Sequence, residues 1–187
     1  LHTGGSNRRY VLRQEGVSLK NKLLGLLTAF TGPEVLLGRR IMKTDWASNI
    51  DPEITASLPD QSQHELLNAI TESIDNQPLV DWHDIVSVAN VIPPEGIRET
   101  VLLARQYAEK GYDPVPYFQR LAEMSCRDDF TEMHSLKHFQ AIVDEYYTTR
   151  EPYRWVHLAS AAKSAAIIQL GREQSVYQQT KELLAAA

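Results

Sequence analysis

The chain has 187 residues, of which 43% are hydrophobic and 23% are charged, with a formal net charge of −5 at pH 7. This composition is typical of a globular protein whose core is large enough to fold without disulfides or a structural metal. The single cysteine, Cys126, excludes an internal disulfide and any all-cysteine metal centre. The most apolar run, Leu23–Phe30, is far shorter than the roughly 20 residues that span a bilayer. We therefore expect no membrane partner, and cysteine usage favours the cytoplasm.

Helical periodicity dominates the chain, and it predicts an all-α fold, an irregular bundle of about eight or nine helices. Residues 1–17 begin with a Gly-, Ser- and Asn-rich stretch and are predicted to form a loose arm. One helical domain is predicted over 18–187, and the proline-containing stretch 44–59 is the candidate boundary within it. The sequence begins with Leu1 and not with methionine, so it leaves open whether a targeting segment precedes it.

Capping residues and prolines mark where the predicted helices begin. In chain order, these markers are Ser18, Pro33, Asp60, Asp81, Pro94, Pro114, Asp128 and Pro152, and a last helix is predicted over 172–186. The helix from Asp60 is predicted to reach Ile74, with Leu66, Leu67 and Ile70 facing the core. Gly111 is predicted to stop the helix that follows Pro94, because glycine adopts the left-handed conformation that ends many helices.

Charge is distributed unevenly along the chain. Between Arg8 and Lys43, eight basic residues stand against two acidic ones (net +6), whereas the rest has 11 basic and 22 acidic residues (net −11). Arg39 and Arg40 are candidates to bind an anion there, close to a predicted helix start. The alternative is that the basic segment packs against the acidic remainder. The overall acidity favours this alternative and opposes nucleic-acid binding.

The segment Arg127–Tyr147 carries the strongest chemical signal, because it is predicted as one amphipathic helix with His134 and His138 four residues apart. One helical turn spans about 3.6 residues, so both imidazoles project from the same side. Glu145 is predicted on that side, and His157 in the next helix is a candidate third nitrogen ligand. Such a set suits iron or another divalent metal.

A second interpretation assigns these histidines no chemistry. The core stripe of this helix is predicted to consist of Leu136, Phe139, Val143 and Tyr146. His134 would then lie opposite the core and His138 at its border, and the nearby Lys137 disfavours a cation. His157 lies beside small residues that let a neighbouring helix approach closely, so it is equally suited to a hydrogen bond between helices.

Part of the chain resembles known oxidative proteins. The residues that carry the resemblance are Arg127–Phe130, His134, His138, Gln140 and the alanine-rich helix around His157. This region, roughly residues 100–170, resembles questin-oxidase-like proteins and the helical portion of bacterial proteins that also contain a Rieske iron–sulfur domain. The resemblance implies an oxidative enzyme or a helical part of one. A Rieske centre needs two cysteines, so this chain with Cys126 alone would rely on another domain or protein for such a cluster.

Two functions follow as hypotheses. The first is a helical, metal-dependent oxidative enzyme or a fragment of one, with His134, His138, His157 and Glu145 as candidate ligands. The second is a non-catalytic helical interaction or adaptor domain, since no phosphate-binding loop, dinucleotide fingerprint or nucleophile elbow occurs in the sequence. A protein partner or a homo-oligomer is compatible with either function.

Overall fold

The computed structural model describes residues 9–28, 57–77, 95–127, 134–169 and 175–186. The elements within these ranges are α1 (Leu19–Thr28), α2 (Gln63–Asp75), α3 (Glu95–Glu109), α4 (Pro114–Ser125), α5 (His134–Thr148), a 3₁₀ turn (Glu151–Tyr153), α6 (Trp155–Gln169) and α7 (Ser175–Ala185). No strand is present in the described ranges, and the predicted all-α, multi-helix fold is confirmed. In the same ranges, no helix is both long enough and apolar enough to cross a bilayer.

Several predictions concern residues outside those ranges. They are the helix from Pro33 to about Lys43, the anion-binding Arg39 and Arg40, the short helix that Asp81 was predicted to cap, the segment 44–56 of the candidate boundary, and the predicted helix start at Asp128.

Helix α6 lies at the centre of the fold and packs against α2, α3, α4 and α5. Over residues 155–166, where the burial of its side chains is described, the buried ones are nearly all small: Leu158, Ala159, Ala161, Ala162, Ala165 and Ala166. These positions cover more than one face of the helix, as expected of a helix surrounded by neighbours. Because alanine extends only one carbon from the backbone, several helices can approach the α6 axis closely.

Aromatic side chains of α3, α4 and α5 fill the space beside α6. The rings of Tyr107 and Tyr117 have centroids 5.0 Å apart, and those of Phe118 and Tyr146 are 5.2 Å apart. Tyr117 is fully buried, and its hydroxyl donates a hydrogen bond of 2.7 Å to the backbone carbonyl of Leu158. Burial raises the pKa of Tyr117 well above its usual value, so the hydroxyl stays protonated and remains a donor.

Helix α2 begins with a capping box at Ser62, not at Asp60 as predicted. The Ser62 amide donates to the Glu65 carboxylate (2.8 Å), while the Glu65 amide donates to the Ser62 hydroxyl (3.4 Å). A glutamate three residues after the cap allows this reciprocal bonding. The residue at the same distance after Asp60 is Gln63, whose side-chain amide donates instead to the Tyr107 hydroxyl at 2.8 Å. Asp60 instead pairs with Lys110. The predicted inward residues Leu66, Leu67 and Ile70 are buried.

The connection between α3 and α4 forms as the sequence predicts. Gly111 has a φ of +65°, the left-handed conformation that ends a helix. Asp113 caps α4 by accepting a 3.0 Å hydrogen bond from the Val115 amide, and Pro114 occupies the first helical position. The Tyr107 hydroxyl donates to the Asp113 carbonyl at 2.5 Å. This short connection therefore has a fixed geometry.

Replacing Tyr117 by phenylalanine tests the bond between α4 and α6. Tyr117→Phe keeps the ring but removes the donor to Leu158, so we expect the free energy of unfolding to fall by about 1 kcal/mol. Urea unfolding followed by circular dichroism measures this change. The control is Tyr153→Phe, since Tyr153 is exposed. Equal stability of both variants would contradict the role given to the Tyr117 hydroxyl.

Candidate functional site

A cleft of about 380 Å³ lies where the end of α3, the start of α4 and the turn between α5 and α6 meet. Its charged lining residues are Arg105, Glu109, Asp113, Glu151 and Arg154. Its aromatic lining residues are Tyr112, Tyr146 and Trp155. The volume is within the range of small-ligand pockets, which typically combine apolar walls with a few placed polar groups. The sequence analysis did not single out this site.

Arg105 fixes one wall of the cleft. Its guanidinium lies 3.8 Å from the centroid of the Trp155 ring, and its Nε donates to the Glu109 carboxylate at 2.5 Å. The stacking joins α3 to α6, and the ion pair neutralises Glu109. This wall is therefore charge-balanced before any ligand enters.

Arg154 and Glu151 belong to the turn before α6. The Arg154 Nε donates to the Thr149 carbonyl at 3.0 Å, and its guanidinium carbon is 5.6 Å from the Tyr146 ring centroid. Neither terminal nitrogen of Arg154 has a hydrogen-bond partner among the described residues. Within the same ranges, the exposed Glu151 carboxylate has no cation within 4 Å. Both groups can therefore receive a ligand.

Tyr146 lines the same cleft, with its ring beside the Arg154 guanidinium. Burial raises the pKa of Tyr146, the positive charge of Arg154 lowers it, and Tyr147, Asp113 and Glu151 raise it further. Arg154, Asp113 and Glu151 line the same cleft as Tyr146, so their charges all act on its hydroxyl group. That hydroxyl has no hydrogen bond to another side chain or carbonyl in the described ranges. It can donate to or accept from a ligand.

The predicted metal ligands each contact a different partner. His138 Nε2 is 2.8 Å from the Ser164 hydroxyl on α6, and His157 Nε2 is 2.9 Å from the Thr149 hydroxyl. Glu145 is buried. In the described ranges, no three His, Cys, Asp or Glu side chains form a group that could hold a metal. The structure therefore does not bring His138, His157 and Glu145 together as one ligand set.

His134 is the first residue of α5, and its side chain is outside the described part of the structure. A metal site that uses His134 stays a prediction. His138 bonds to a serine of the neighbouring helix α6, and His157 bonds to Thr149, the residue that follows α5. Both contacts are of the structural kind that the second interpretation describes.

The buried face of α5 differs from the predicted stripe at one position. Phe139, Val143 and Tyr146 pack against the core as predicted, but Leu136 is 44% exposed. The reason is that α5 packs against both α4 and α6. Its buried face is therefore turned toward the side of His138 and leaves Leu136 in contact with solvent. The fully buried Ile142 lies on this face.

The first described segment of the chain contacts α5 through an ion pair and a hydrogen bond of Arg9. Residues 9–13 are helical. The Arg9 guanidinium contacts the Glu145 carboxylate at 2.7 Å and also donates to the Thr148 hydroxyl. Glu145, expected to bind a metal cation, therefore has a guanidinium partner. This ion pair lies beside His157, whose pKa is lowered by burial and also by the charge of Arg9.

Comparison with known proteins gives no further guide to the site. No protein-family model matches the chain, and no curated protein or solved structure is significantly similar to it. The resemblance to oxidative proteins therefore rests on the residues that suggested it, and the function has to be argued from the geometry of the site.

The metal hypothesis can be tested directly. It predicts stoichiometric iron or another divalent metal in protein purified without a histidine tag, and loss of that metal in the double variant His134→Ala/His138→Ala. Elemental analysis by mass spectrometry measures both. The matched control is His64→Ala, because His64 is an exposed residue of α2. Metal content that is absent, or unchanged in the double variant, would contradict the hypothesis.

The two half-buried histidines, His138 and His157, should make stability depend on pH. Burial lowers the pKa of both His138 and His157, so the folded protein resists protonation that an unfolded chain accepts near pH 6.5. Their contribution is complete above about pH 6.5 and is lost as the pH falls toward the lowered pKa values.

We therefore expect the free energy of unfolding to fall between pH 7.5 and pH 5.5, as measured by urea titration. His138→Gln should flatten this dependence, because it removes one of the two titrating groups. His64→Gln, at an exposed residue of α2, is the control for the substitution of a histidine as such. A pH dependence that is identical in His138→Gln, His157→Gln and the unmodified protein would contradict the assignment.

Proposed function

We propose that this chain is a helical binding module, without chemistry of its own, that holds a small ligand in the cleft. The observation that carries the proposal is the pair Arg154 and Glu151, which present charges without ion-pair partners in the described structure beside the Tyr146 hydroxyl. Polar groups of this kind, converging in a cleft of about 380 Å³, are the usual means by which a pocket orients a ligand.

The rigidity of the walls supports binding. Arg105 is held by Trp155 and Glu109, while the α3–α4 connection is held by the hydrogen bond from Tyr107 to Asp113. A ligand that enters a pre-formed site loses less free energy to the ordering of side chains. The cleft therefore needs little rearrangement to accept one.

The composition of the lining favours binding over catalysis. The described lining contains no histidine and no cysteine, the side chains best suited to act as a base or a nucleophile near pH 7. The proposal thus belongs with the non-catalytic hypothesis from the sequence. The oxidative enzyme implied by the resemblance is a separate hypothesis, and it depends on His134.

Fragment binding followed by protein NMR tests the proposal. We expect fragments that carry a charged group on an aromatic ring to shift the amide signals of Gly111, Tyr112 and Arg154. Arg154→Met should weaken their binding about tenfold or more, because a charged hydrogen bond is lost. The control is Arg150→Met, since Arg150 stacks on Tyr153 and does not line the cleft. A library that shifts no cleft signal would refute the proposal.

A further inference from the structure

Most of the charges that line the cleft are already compensated within the protein. Arg105 and Glu109 form an ion pair. Asp113 accepts the hydrogen bond that begins α4, where the helix dipole partly offsets its charge. Arg154 and Glu151 remain, one cation and one anion three residues apart, with no ion pair within 4 Å among the described residues.

We infer that the ligand is a zwitterion of the α-amino-acid type, with its carboxylate at Arg154, its ammonium group at Glu151 and an apolar side chain against Tyr112 and Trp155. This inference rests on the proposed function of the cleft, and it specifies the chemical class that the cleft accepts.

Each end of such a ligand has a matching group. The planar guanidinium of Arg154 has two terminal nitrogens that can donate to both oxygens of a carboxylate. The Glu151 carboxylate can accept hydrogen bonds from an ammonium group. The Tyr146 hydroxyl belongs to the same cleft and can donate to the carboxylate or accept from the ammonium group. Three groups with distinct roles thus meet the two ends of one small molecule.

The remaining surface suits the side chain of an amino acid. Tyr112 and Trp155 contribute aromatic surface, and Pro114, Pro152 and Leu158 contribute aliphatic surface. The volume of about 380 Å³ suits a ligand of low molecular mass.

The same charges disfavour ligands that carry only one sign. A simple anion at Arg154 would leave the Glu151 charge uncompensated. A simple cation at Glu151 would meet Arg154. Selectivity here comes from repulsion as much as from attraction, because each unmatched charge disfavours the wrong ligand.

The experiment compares three forms of one amino acid by isothermal titration calorimetry and NMR: L-phenylalanine, L-phenylalanine amide and N-acetyl-L-phenylalanine. The same three forms of leucine give a second series. We expect the zwitterion to bind about tenfold or more tightly than either blocked form, since each blocked form leaves one protein charge unmatched.

Glu151→Gln removes the charge of the carboxylate and keeps the size of the side chain. Glu151 is exposed and makes no other described side-chain contact, so the variant should fold. We expect this variant to bind L-phenylalanine about tenfold more weakly and to lose most of its preference over the N-acetyl form. Arg154→Met should lose the preference over the amide instead. Glu182→Gln, an exposed glutamate on α7, should change neither.

The outcomes separate the two proposals. If a blocked form binds as tightly as the zwitterion, the inference is refuted while the binding function stands. If neither series binds but aromatic fragments still shift cleft signals, the inference is again refuted and the function stands. If neither the amino-acid series nor the fragments affect the cleft, the proposed function itself fails.

Discussion

The close approach of helices around α6 is the constraint on which the rest of the structure depends. Five buried alanines on α6 leave room for α2, α3, α4 and α5 to pack against one helix. The larger residues that fill the remaining space, among them Tyr107, Tyr117 and Phe118, come from the surrounding helices. A larger side chain at Ala162 or Ala166 would push a neighbouring helix away, because protein cores are close-packed and tolerate extra volume poorly.

The cleft follows from that packing. Its walls are the ends of helices that pack against α6. Lining residues that are distant in sequence therefore lie close together at the edge of the core. Arg105 and Trp155 illustrate the point, since one stacks on the other across 50 positions of the chain at 3.8 Å. Each side chain combines an apolar part with a polar group. The apolar part can cover the edge of the core while the polar group stays in contact with solvent.

Much of the fold could be predicted from the sequence, because helix caps and apolar periodicity are local signals. Gly111 and Asp113 each form the turn or cap that their residue type favours. Asp60 is a cap candidate by its residue type, whereas the Ser62–Glu65 box decides where α2 starts. The signal that decides this start is itself local, because Ser62 and Glu65 are three residues apart in the sequence.

The cleft could not be predicted in the same way. Arg154 and Glu151 look like ordinary surface charges, and their importance depends on which other charges already have partners. The spacing of His134 and His138 fixes only the side of a helix from which they project. The spacing does not say which element packs against that side. At His138 this element is α6, whose Ser164 hydroxyl is the hydrogen-bond partner of the imidazole. Prediction of a site requires the tertiary contacts that periodicity does not contain.

One end of α5 joins two distant parts of the molecule. Thr148 accepts a hydrogen bond from Arg9, and the next residue, Thr149, supplies the carbonyl that holds Arg154 in the cleft. Glu145 adds a charge contact to the same guanidinium of Arg9. The segment around Arg9 therefore stabilises the end of α5 that positions Arg154 in the ligand site. Removal of Arg9, or a bulky fusion beside it, would leave Glu145 without this cation. It would also weaken the support of Arg154 through Thr148 and Thr149. Ligand binding in the cleft therefore depends on an intact segment around Arg9.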